Sequence, residues 1–135
     1  MKIKTITSWV LRLVAAIILL QTLYFKFSAH PESVMLFIKL GVEPWGRIGT
    51  GIIELITAAL ILIPATVFVG AFIGTGLMAG AILSHIAVIG IESNGDGGQL
   101  FTLAIIVFLD CLLIMLLHKQ QGVALFNRLF KKQPL

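Results

Sequence analysis

Charge is what this chain of 135 residues has least of: Asp, Glu, Lys and Arg make up 12% of it, against 59% hydrophobic residues. A soluble domain carries roughly twice that charged fraction. A water-facing surface over the whole chain is therefore excluded, and a mean hydropathy of +1.06 agrees. Cysteine is almost absent. Cys111 alone cannot close an internal disulfide or run a dithiol relay, which excludes a membrane thiol oxidase of the two-cysteine kind. There is no phosphate loop, no nucleophile elbow, no nucleic-acid motif and no internal repeat.

What is there is apolar length. Uninterrupted runs cover about residues 8–27, 46–63, 67–91 and 99–118. Each suits a helix of about 20 residues crossing a hydrocarbon core of about 30 Å. They are too long and too uniformly apolar for barrel strands. The expected fold is all-α: one integral membrane four-helix bundle spanning residues 1–135. The N-terminus reads as a retained signal anchor rather than a cleaved peptide. Arg12 falls early in the apolar run, and Lys26 sits beside the candidate cleavage site Phe27-Ser28-Ala29.

The joints are unequal. Pro64-Ala65-Thr66 makes the second and third spans a tight hairpin. The long first joint contains HPESVMLFIKLG, which reads as a short amphipathic surface helix with Pro31 in its first turn, Glu32 at its positive end and Gly41 as its stop. Lys2, Lys4, Lys119, Arg128, Lys131 and Lys132 flank the terminal side, whereas Lys26, Lys39 and Arg47 lie opposite. The excess of basic residues places both termini in the cytoplasm of a bacterial inner membrane. The tail, residues 119–135, then reads as a basic amphipathic helix on anionic lipid, not nucleic acid. Two successive G-x-x-x-G spacings, Gly70-Gly74 and Gly76-Gly80, point to close helix packing within the bundle, with a homo-oligomer as the other use.

The few polar residues inside the spans are the candidates for function. A charge at mid-membrane costs roughly 2.5–3.5 kcal/mol on the insertion scale. Arg47, Thr50, Glu54 and Thr57 share one face of the second span. His85 lies on the third, Asp110 on the fourth, and Gln21 and Lys26 on the first. At 1.5 Å per residue, and with side chains leaning toward the N-terminus of their own helix, these groups converge roughly 10–14 Å below the outer surface. The same lean directs Arg12 away from Asp110, toward the inner headgroups. A bis-histidine haem is disfavoured because His30, His85 and His118 differ in depth. Zinc would need His85, Glu54 and Asp110 in close geometry, and no metal is assigned. Asn94-Gly95-Asp96-Gly97 lacks the remaining ligands of a calcium loop and reads as a turn.

An early-span arginine (Arg12), the ending LYFKF with Lys26, the loop LGVEPWGR, the G-x-x-E of Gly51 to Glu54 followed by L-I-P, then GAILSH and DGGQLF together resemble the DoxX family of small four-span membrane proteins, especially its Bacteroidetes type. The resemblance runs from about residue 7 to residue 117. It implies a membrane subunit associated with quinone-linked redox chemistry or oxidant defence, or else an assembly factor. The chain has no redox centre of its own, so electron chemistry would need a quinone or a partner subunit. On the first alternative, Glu54 and His85 are candidate proton carriers, while Gln21, Lys26, Arg47 and Asp110 are candidate ligand-binding residues for a small amphiphile. On the second, the same cluster fixes helix register in a non-enzymatic stabilising protein.

Overall fold

In lipid the backbone has no water to bond, so a long apolar run closes its N–H and C=O groups within itself as a helix. The computed structural model describes residues 2–130. Six α-helices follow one another: α1 (Lys2–Phe27), α2 (Pro31–Lys39), α3 (Trp45–Leu62), α4 (Val67–Ser84), α5 (Gln99–Leu117) and α6 (Lys119–Phe130). No strand occurs among the described residues. Four helical segments are long and apolar enough to cross a membrane: Lys2–Phe27, Trp45–Leu62, Pro64–Ile89 and Gln99–Leu117. The first begins six residues earlier than the apolar run suggested.

The spans close into a ring in the order α1, α3, α4, α5, with α5 returning to α1. Ala15, Ala16, Leu19, Ala58, Ile61, Ala71, Val107 and Ile114 fill its centre. Ile17, Ile56, Phe72 and Leu116 point outward and are exposed. Apolar residues on both faces are what a helix needs between protein and lipid.

Two of the four glycines in the G-x-x-x-G pairs make seams. A Cβ on Gly70 would stand 2.7 Å from the Ile61 nitrogen of α3, and one on Gly74 would stand 2.7 Å from the Cys111 sulfur of α5. Gly76 and Gly80 meet nothing within 4 Å. They are not packing glycines, because they border open space.

Arg12 corrects an expectation. It is only 3% exposed and does not reach the headgroups. Its Nε donates to the Ile61 carbonyl at 2.7 Å, and its NH2 group donates to the Leu62 carbonyl at 2.9 Å. Its guanidinium lies 3.7 Å from the Trp9 ring centroid. The cause is the end of α3. Pro64 stops that helix and orphans its last carbonyls. Thr66 Oγ1 donates to the Leu60 carbonyl and Arg12 to the next two, so the last carbonyls of α3 are all partnered.

The ends of the bundle are tied by polar contacts. On the terminal side, Ser8 Oγ and His118 Nε2 are 2.7 Å apart. Burial, with Arg12 and Lys4 nearby, holds the His118 imidazole below its usual pKa. Gln121 docks α6 by donating to the Pro64 carbonyl and accepting from the Phe68 amide. Val123, Phe126 and Leu129 of α6 remain exposed as an apolar face. Lys131 and Lys132 lie outside the described residues. At the opposite end α2 lies across the ring with Phe37 turned inward and Met35 and Ile38 outward. Two side-chain bonds hold it: Lys39 to the Ile89 carbonyl and Asn94 to the Glu32 carbonyl.

Candidate functional site: a cavity under the surface helix

A cavity of about 640 Å³ opens between all four spans beneath α2. Its size falls within the roughly 300–1,000 Å³ of small-molecule sites. Apolar side chains such as Ile18, Leu36, Leu77 and Leu103 make most of its wall. Gly76 and Gly80 line α4 where larger residues would fill the space. At its α2 end the rim is polar, with Glu32, Ser33, Ser93, Asp96 and Gln99.

The strongest polar feature inside is an ion pair. Lys26 Nζ lies 3.0 Å from Glu54 Oε1, with the two side chains 12% and 5% exposed. Thr22 Oγ1 lies 3.0 Å from Glu54 Oε2 and 2.8 Å from the Leu19 carbonyl, so its single proton serves two acceptors. Lys26 and Thr22 are four residues apart on α1 and reach Glu54 from one face. This is how a carboxylate is held among aliphatic neighbours: both of its oxygens are partnered.

His85 approaches from α4. The helix widens there into a π-turn over His85–Ile89, which ends at Gly90. Nδ1 of His85 is 3.0 Å from the Gly90 carbonyl, and the ring meets Phe101 edge-on at 5.6 Å. The residue is buried yet lines the cavity. Such one-turn bulges recur at functional sites.

The structure thus gathers Gln21, Lys26, Glu54 and His85 around one space and leaves Arg47 and Asp110 off its wall. Arg47 Nε faces both oxygens of Glu43 at 2.9 and 3.1 Å, and its NH1 group donates to the Lys26 carbonyl. It clasps the end of α1 to the start of α3. Asp110 lies three residues beyond Val107, the last α5 residue on the cavity wall. Its Oδ2 is the only buried side-chain nitrogen or oxygen without a partner among the described residues. Thr22 is the member that the sequence reading missed. The signal was available, since it stands four residues before Lys26 whereas Gln21 stands five.

Asp96 organises the rim. Burial pushes its carboxyl up, but amide hydrogen bonds from Leu100, Gly98, Ser93 and Gln99 outweigh this and hold it below the usual carboxylate range. The bonds at 2.8–3.0 Å come from Gly98, Ser93 and Leu100 and cap the start of α5. No cluster of three or more metal-ligating side chains exists among the described residues.

The model of a family described as DoxX-like matches residues 10–110, most of the chain and all of the residues that line the cavity. No curated protein and no solved structure matches the chain.

Proposed function

The chain belongs to the DoxX-like family, and we propose that this membrane protein binds a small amphiphile, with a quinone as the leading candidate, as a redox-associated subunit. One observation carries the proposal: a ligand-sized cavity inside a membrane bundle, apolar along most of its wall, with a buried Lys26–Glu54 pair and His85 within it. Apolar walls suit a ring and tail, and the few polar groups suit a head. The residues fit a quinone. Lys26 and Gln21 can donate to its oxygens, and Glu54 and His85 can exchange protons with its hydroxyl form. A quinone supplies two-electron chemistry; the partner subunit would supply or accept the electrons. Lys26 orients the head, and α2 excludes water from above.

The orientation belongs to the same proposal. Lys2, Lys4, Lys119 and Arg128 stand at the terminal end, so both termini face the cytoplasm of a bacterial inner membrane and α2 lies in the outer leaflet. A C-terminal alkaline phosphatase fusion would then be inactive; an active one reverses the orientation. Thermal-shift titration of the detergent-purified protein with short-chain quinones and quinols tests binding. Saturable stabilisation is expected with at least one redox form, and none with either would defeat the proposal.

A second reading is favoured by one detail. Both oxygens of Glu54 are already engaged within the protein, as a strut in a non-enzymatic assembly or stabilising factor would be. Then Glu54→Gln and His85→Ala would lower stability and complex formation together, with no ligand to lose.

A further inference from the structure

His85 is held in one tautomer. Its Nδ1 stands 3.0 Å from the Gly90 carbonyl oxygen. A carbonyl only accepts, so the proton in that bond belongs to Nδ1, and the neutral ring offers a bare lone pair at Nε2. The backbone locks this arrangement. The Gly90 amide donates back to the His85 carbonyl at 2.6 Å, closing the wide turn. Gly90 has φ +90°, a conformation open to glycine. Nε2 makes no hydrogen bond among the described residues, and it is not among the buried unpartnered atoms. In a residue that lines the cavity, that nitrogen is the polar atom left open to it.

The α1 side offers the opposite chemistry. Each oxygen of Glu54 is engaged by one partner, Lys26 or Thr22. Lys26 Nζ carries three protons and uses one on Glu54, so this wall presents donors. A cavity with an acceptor on α4 and donors on α1 matches a head group that both gives and takes a hydrogen bond. An oxidised quinone has carbonyl oxygens alone and would set a lone pair against Nε2. A hydroquinone or other phenol brings a hydroxyl that donates to Nε2.

We propose that the cavity selects the reduced, hydroxyl-bearing form of its amphiphile, and that Nε2 of His85 is the atom that reads the hydroxyl. This rests on the amphiphile-binding function proposed above and adds the chemical form of the ligand to it. His85 acts here as a specificity-determining residue, set in place by the π-turn His85–Ile89.

The test uses two redox-inert probes, a para-alkylphenol and its methyl ether of equal chain length. Each is titrated calorimetrically into the full-length protein in mild detergent. The wild type is expected to bind the phenol about tenfold or more tightly than the ether, because the ether leaves the acceptor unpaired. His85→Phe keeps a ring against Phe101 and should bring the ratio below about threefold. Nitrogen-15 NMR of histidine-labelled wild type needs no variant. It should show a protonated Nδ1 and a bare Nε2 whose signal moves with the phenol and not with the ether. Equal affinity for the two probes, or a proton on Nε2 in the neutral ring, overturns the selection while leaving the amphiphile site standing. Binding of neither probe overturns both.

Discussion

Gly70 and Gly80 lie on the same helix and carry the same side chain, yet the structure predicts opposite responses to one methyl group. A Cβ at position 70 would sit 2.7 Å from the Ile61 nitrogen and 2.9 Å from the Leu60 carbonyl carbon and Cβ. Ordinary carbon contacts are about 3.5–4.0 Å, so α3 and α4 would have to part by about 1 Å along a seam of backbone that cannot rotate away. Overpacking of this kind costs about 1–3 kcal/mol. At position 80 a Cβ meets nothing within 4 Å, and alanine is the better helix former by about 1 kcal/mol. With roughly 3–6 °C of melting temperature per kcal/mol for a chain of this size, Gly70→Ala should melt about 3–18 °C below wild type, and Gly80→Ala no lower than wild type. Circular dichroism melts in one detergent measure both. Equal destabilisation by the two substitutions would refute the placement of Gly80 on a cavity wall, and with it the cavity.

Other residues make separate demands. Arg12→Leu removes the donors from two carbonyls at the end of α3. At about 1–3 kcal/mol per orphaned group, it should lower the melting temperature more than Lys4→Leu does; parity would mean Arg12 is not a cap. Glu54→Gln strands Lys26 in the bundle and should destabilise by roughly 3–5 kcal/mol. The double change Lys26→Met with Glu54→Leu should recover most of that stability yet not bind ligand. Failure of the double variant to recover stability would contradict the pairing. Asp96 has a folded pKa below its unfolded value, so its contribution to stability is present above the unfolded pKa and is lost as pH falls through the folded one. Wild type should therefore lose stability on acidification below about pH 4, and Asp96→Asn should flatten that loss in pH-dependent melts.

Apolar length made the four spans legible, and the Pro31, Glu32 and Gly41 punctuation made α2 legible. Depth along the spans was also readable, because rise per residue is constant: Lys26, Glu54 and His85 do surround one space. Where the cavity ends was not. Arg47 stands three residues before Thr50 and Asp110 three after Val107, on the same faces as the lining residues of α3 and α5 but beyond the space, whose extent is decided by how the neighbouring helices pack. Arg12 shows the same limit. Its lean was judged from its own helix, whereas its partners belong to the end of α3, 49 and 50 residues away. The π-turn at His85–Ile89 left no mark, since HIAVI contains neither glycine nor proline to announce a change of winding.

The central claim is that the space beneath α2 holds an amphiphile. Organic extraction and mass spectrometry of protein purified in mild detergent address it directly, with wild type compared against Gly80→Leu, which puts a bulky side chain on the wall of that space. The account predicts a stoichiometric quinone or quinol in wild type and its loss from a folded Gly80→Leu. The same amount in both, or none in wild type, would contradict it.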